Sequence, residues 1–131
     1  MSKINADNGT LIWDNYLNTN ANLLINPSSI AAISKDGFFL LFDKINGNLI
    51  YQKNITGLLN LKKNKFNLIY FYIISNKFNI ISGSGNLIQI NSKNFDDYTA
   101  NDTLNKIVSN VIIFDNRLYY LDLNGFLNYV E

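Results

Sequence analysis

The 131-residue chain has no cysteine and no histidine, one proline and one glutamate, Glu131. Without cysteine there can be no disulfide, thiolate metal site or thiol nucleophile. Without histidine there is no Ser-His-Asp triad, no imidazole base and no ordinary zinc ligand set. Neither sign of charge dominates: 11 Lys+Arg face 10 Asp+Glu, for a net charge of +1. A dedicated nucleic-acid binder carries a basic excess, so nucleic acid is not an expected partner. Long apolar runs are missing too. The densest, Phe66 to Ile74, is broken by Asn67 and stops at Ser75-Asn76, far short of the ~20 residues that cross a bilayer as a helix. The segment Met1–Asp7 reads as a polar lead, and residues 1–20 hold no apolar stretch of signal-peptide length.

What is abundant is asparagine and isoleucine. The Asn residues are interleaved with regular apolar runs, which argues against a low-complexity tract. Helical spacing is nowhere sustained. Short runs rich in Ile, Phe, Tyr and Val lie between Gly and Asn punctuation, a strand signature. Strands are predicted at Thr10–Leu17, Ala21–Ile25, Ile30–Ser34, Phe38–Asp43, Leu49–Asn54, Leu68–Ser75, Phe78–Ser82, Asn86–Asn91, Lys106–Phe114, Arg117–Leu123 and Phe126–Val130. Asp96–Leu104 is a weak candidate, and Gly57–Lys65 reads as an insertion or loop. The expected class is all-β.

The pattern repeats. Asn8-Gly9-Thr10-Leu11-Ile12-Trp13 matches Asn46-Gly47-Asn48-Leu49-Ile50-Tyr51, with the same spacing from glycine to aromatic. Asp36-Gly37-Phe38 matches Ser84-Gly85-Asn86 and Asn124-Gly125-Phe126. Asn-Gly and Asp-Gly supply the positive φ of tight hairpin turns. Each unit of ~40 residues is then an antiparallel meander of about four strands. Such a sheet buries both faces only by stacking on others, so the expectation is β-propeller blades, about three four-stranded units in an incomplete ring, over an ordinary β-sandwich. The blades are placed near 1–20 (an outer strand), 21–56, 66–104 and 106–131. Their second strands, holding Ile30, Ala32, Phe78, Ile80, Leu118 and Tyr120, are expected to be central and buried on both faces.

Apolar strand, Asp-Gly, alternating strand, then Asn-Gly-x-Leu-Ile and an aromatic: this order resembles the PQQ-like propeller repeat. The best copy is Ile30–Ile55, with Tyr51 where that family prefers Trp; Trp13 keeps the Trp. In the third unit Phe95-Asp96-Asp97-Tyr98 replaces the closing motif, which leaves that outer strand in doubt. The last unit, Val108–Val130, looks like the terminal blade of BamB-like proteins. The resemblance implies that Glu131 is the C-terminus and that the N-terminal part supplies the missing strand. It also implies a non-catalytic scaffold for protein partners in outer-membrane assembly, periplasmic or outer-membrane-associated, whose open edges allow a homo-oligomer. The alternatives are a fragment of a quinoprotein dehydrogenase and a lectin-like ligand-binding propeller. A quinoprotein site needs charged cofactor ligands and a metal-binding acidic set, and this chain's one Glu is Glu131.

No catalytic, cofactor-binding or metal-binding residue is expected. The residues singled out are repeat positions: Gly9, Trp13, Asp36, Gly37, Gly47, Tyr51, Gly85 and Gly125. Trp13, Tyr51, Tyr98 and Tyr129 could form a ligand-stacking set, but suit packing between sheets better. Asp36, Asp43, Asp115 and Asp122 suit turns, where Asp bonds nearby backbone. Gly83-Ser84-Gly85 fits a loosened hairpin turn better than a phosphate cradle. Lys62, Lys63 and Lys65 fit a solvated loop.

Overall fold

The computed structural model describes residues 1–19, 22–58, 68–101, 106–107 and 111–130. The chain divides into two compact units, Met1–Ile55 and Thr56–Glu131. The first begins with a two-stranded sheet of β1 (Ser2–Ile4) and β2 (Leu11–Asp14). A four-stranded antiparallel sheet follows: β3 (Leu24–Ile25), β4 (Ser29–Ile33), β5 (Phe38–Asp43) and β6 (Leu49–Asn54). One helical turn, α1 (Ile55–Leu58), comes next. The second unit holds a four-stranded sheet of β7 (Leu68–Ile74), β8 (Lys77–Ser82), β9 (Leu87–Asn91) and β10 (Tyr98–Asn101). Its other sheet has three strands, β11 (Ile112–Phe114), β12 (Arg117–Leu121) and β13 (Leu127–Val130).

The turns explain why these segments pair. Between β4 and β5, Ser34 Oγ accepts from Phe38 N at 3.1 Å, and Gly37 N donates to the Ser34 carbonyl at φ +79°. Between β8 and β9, Ser82 and Asn86 repeat the first bond and Gly85 (φ +91°) the second. In the last sheet Asp122 takes the serine's place: its Oδ1 accepts from Phe126 N at 3.0 Å and from Asn124 N at 2.9 Å, before Gly125 at φ +80°. Side-chain acceptor, two free positions, then glycine is the working unit. Ser and Asp are suited to it because their short side chains reach backbone two to four residues on.

A second turn recurs with equal fidelity. Asn5 N donates to the Thr10 carbonyl and Gly9 N to the Asn5 carbonyl; Asp43 with Asn48, and Gly47 with Asp43, do the same in the second copy. Even the register shift recurs, at Lys3/Ile4 and at Leu41/Phe42. The turns β7–β8 and β11–β12 are two-residue hairpin turns with both residues at positive φ, Ser75-Asn76 and Asp115-Asn116. Asn and Asp tolerate that region better than other side-chain-bearing residues.

Burial follows pattern. Every residue of β4 is buried, as are five of the six in β8. β12 differs from expectation: Leu118 and Tyr120 are buried, while Arg117 and Leu121 are exposed. Its apolar run covers one face only, because its flanking strands leave Ile112, Phe114, Leu127 and Tyr129 exposed on the other.

Three expectations need correction. Ser2–Ile4 is a strand rather than a polar lead; Lys3 pairs with Trp13 and leaves its ammonium on the Lys44 carbonyl. So Leu11–Asp14 is not a lone outer strand. Tyr98–Asn101 is a full fourth strand on β9 despite the missing glycine, because Asn91 and Asn94 side chains hold the turn through Lys93 N and Asp96 N. Leu58 and Gly57 belong to α1 rather than a loop, whereas residues 59–65 of that expected insertion lie outside the described residues.

Asp122 is 2% exposed and its side chain holds two backbone N–H groups. Asp122→Ala is expected to cost on the order of 2–3 kcal/mol, because two part-buried N–H groups lose their common acceptor at once. Ser34→Ala, which removes one neutral bond, should cost about 1 kcal/mol. Urea denaturation of the two variants checks the order.

Candidate functional site

Within the second unit, strand register sorts side chains into cross-strand rows. Tyr70, Ile81 and Leu87 form one row. They face Ile107, Val111, Leu118 and Tyr120 in a closed apolar cluster. The next row is Tyr72, Asn79 and Gln89. Polar residues have entered the same face, and the two sheets part around a cleft of about 250 Å³. Ile74, Leu118 and Val130 form its apolar walls; Ser75, Lys77 and Asn116 stand with the polar row.

Asn79 is 3% exposed in the middle of an apolar strand, which demands satisfied hydrogen bonds. Its Nδ2 donates to the Lys77 carbonyl at 2.9 Å, and its Oδ1 accepts from Gln89 Nε2 at 2.8 Å. The pair fixes the Gln89 amide. Burial pushes the Tyr72 hydroxyl well above the ordinary tyrosine range, and neighbouring Tyr70 adds to the shift. Tyr72 therefore stays protonated at physiological pH. Among the described residues such a lining offers hydrogen bonds and one cation; it can hold a ligand and orient it.

A second cleft, of about 280 Å³, lies in the first unit between the β1–β2 hairpin and β3–β4. Trp13, Leu23, Ile25 and Ile30 make it mainly apolar. The Trp13 ring lies over Gly47, where an added Cβ would stand 2.7 Å from Trp13 Cδ2. Tyr51 is half-buried and meets Phe39 edge-on at 6.3 Å.

The singled-out repeat positions lie in turns or packing sites. Gly9, Gly37, Gly47, Gly85 and Gly125 all have positive φ. Asp36 is exposed beside Gly37. Of the eight, Trp13 and Gly47 meet directly. Tyr98 is exposed on β10, while Tyr129 on β13 lies 6.2 Å from Tyr119 and 5.6 Å under the Arg117 guanidinium. Asp43 Oδ1 accepts from Ile45 N and Asn46 N, a turn role. In Gly83-Ser84-Gly85 the Ser84 hydroxyl donates to Asn86 Oδ1 at 2.7 Å, so it works inside the turn. Lys62, Lys63, Lys65 and Glu131 lie outside the described residues.

The cleft's polar residues were not foreseen. A signal was present. Folding β8 against β9 about the Ser82–Asn86 turn brings Asn79 opposite Gln89, the two polar interruptions of apolar strands.

No protein-family model matches the chain, and no curated protein matches it. Solved structures do. BamB from Moraxella catarrhalis is similar over 98% of this chain and 37% of its own, with TM-score 0.72 and 16% identity. A chain of the BBS1N–ARL6DN complex is similar over 93% of this chain and 37% of its own, with TM-score 0.61 and 10% identity. The N-terminal domain of Nup159 is similar over 88% and 34%, with TM-score 0.55 and 11% identity. This chain thus spans little more than a third of each. At these identities the likeness establishes the fold, which is that of β-propeller blades.

Two outcomes follow from the geometry. Gly9→Ala meets no atom within 4 Å and carries only the strain of φ +71°, about 1 kcal/mol. Gly47→Ala adds the Trp13 clash and should cost at least about 2 kcal/mol, with reduced burial visible in Trp13 fluorescence. Tyr72 has a folded pKa above its unfolded value of 10.0. Its contribution is complete below that value and is lost as pH rises past it, at up to about 1.4 kcal/mol per pH unit. Denaturation midpoints from about pH 9 to 11 should fall for the parent more steeply than for Tyr72→Phe.

Proposed function

We propose that this chain is a non-catalytic β-propeller scaffold for protein–protein interaction, with a BamB-like role in outer-membrane protein assembly, in the periplasm or at the outer membrane. Residues 1–131 act as one propeller segment in this reading. The observation that carries it is the superposition of 98% of the chain on BamB at TM-score 0.72. The surface chemistry supports it. On the last sheet Ile112, Phe114, Tyr119, Leu127 and Tyr129 share one face, with Arg117 over Tyr129. Aromatic residues and arginine are the types enriched in protein interfaces. The same face and the outer edge of β13 suit self-association. Cofactor chemistry has little to work with in a sequence without His or Cys and with one Glu.

Calorimetry of the full-length protein against the purified periplasmic portion of an outer-membrane barrel-assembly protein tests the proposal. A saturable complex with a dissociation constant of roughly micromolar or below is expected. No heat of binding at tens of micromolar overturns the assembly role. Tight quenching by PQQ with calcium overturns the non-catalytic one.

A further inference from the structure

We propose that the cleft between the β7–β10 and β11–β13 sheets is a socket for a carboxylate-bearing side chain, best a glutamate, presented by a partner polypeptide. The inference takes from the scaffold proposal only that the ligand belongs to a polypeptide; the cleft's own chemistry selects the group.

Among the described residues Lys77 is the one cation that lines this cleft, and no described Asp or Glu lines it. Asp97 shares a separate hollow of about 50 Å³ with Lys77, and its Oδ2 is held by Asn91 Nδ2 at 2.9 Å. Lys77 has no ion pair among the described residues. The polar row cannot supply the missing charge, since its amides are neutral; Gln89 Nε2 donates to Asn79 Oδ1 and Asn79 Nδ2 to the Lys77 carbonyl. Tyr72, kept protonated by burial, adds no anion. An incoming group should therefore accept hydrogen bonds and carry negative charge.

Size and count narrow the class. At about 250 Å³ the cleft lies below the roughly 300–1,000 Å³ of cofactor and drug-sized pockets, and fits one side chain. Phosphate is favoured by bidentate arginine or several cations; among the described lining residues there is one lysine. The walls Ile74, Leu118 and Val130 suit the methylenes that carry a glutamate carboxylate. The rim is firm: Ser75 and Asn116 each sit at positive φ in a two-residue turn, one from each sheet.

The test is a titration of the ¹⁵N-labelled full chain with N-acetyl-glutamate amide, and with the glutamine analogue as neutral isostere, followed by NMR at low salt. Saturable shifts are expected at Lys77, Asn79, Gln89 and Asn116 with the acid, at roughly millimolar affinity. The glutamine analogue and Lys77→Gln should each weaken binding roughly three- to fivefold. Asn116→Asp, which keeps a residue tolerant of positive φ, places a like charge at the exposed rim and should weaken binding of the acid by a similar factor while sparing the glutamine analogue. Lys77 is exposed, so K77Q should melt with the parent. No saturable shift, equal response to both probes, or K77Q binding like the parent overturns the socket. Loss of the acid response with assembly-protein binding retained sinks the socket alone; the reverse sinks the assembly role alone.

Discussion

Each of the three inner hairpins depends on one side-chain oxygen placed three residues before a glycine. Ser34, Ser82 and Asp122 accept the backbone N–H of the residue that follows Gly37, Gly85 and Gly125. At these positions glycine permits the left-handed turn without strain; the oxygen selects it from the alternatives. In β8–β9 and β12–β13 the acceptor is itself buried, Ser82 at 1% and Asp122 at 2%. A buried polar group left unpaired is costly, so a slipped turn would be penalised at the acceptor and at the abandoned N–H together. The turn thereby fixes register, and register decides which face each side chain joins.

That chain of causes ends at the cleft. With β8 and β9 locked about the Ser82–Asn86 turn, Asn79 must stand opposite Gln89 and Ile81 opposite Leu87. One row seals the apolar cluster and the next opens it. A shift by a single residue would send Asn79 and Gln89 to the opposite face, and the cleft would lose its polar lining. The site is thus a by-product of turn chemistry several residues away rather than of any local motif.

The all-β class, most strand positions and the hairpin glycines were legible because Asn-Gly pairs and apolar runs advertise themselves. Trp13 and Tyr51 stand opposite Lys3 and Leu41, so the repeat offset is the same on both strands of the pair. What escaped was written in less conspicuous residues. The strand Ser2–Ile4 is three residues long with exposed ends, too short for alternation to show. Tyr98–Asn101 looked doubtful because Phe95 replaces the glycine, yet Asn side chains at 91 and 94 supply the turn bonds without it. The acceptors Ser34 and Ser82 were passed over because serine is common and its role depends on geometry three residues away. Asn79 and Gln89 were invisible as a pair until the hairpin was closed.

Every hydrogen-bonded strand neighbour in these sheets is also a neighbour in sequence. Each sheet can close through short loops whose entropic cost is small, the regime associated with rapid folding. In kinetic terms each sheet is a run of hairpins that can zip from its own turns. Damage to one turn stays local, as in repeat proteins where each unit senses its neighbours alone. A lineage with this arrangement can drift at one turn, exchanging serine for aspartate or glycine for phenylalanine, while the other sheets hold their shape.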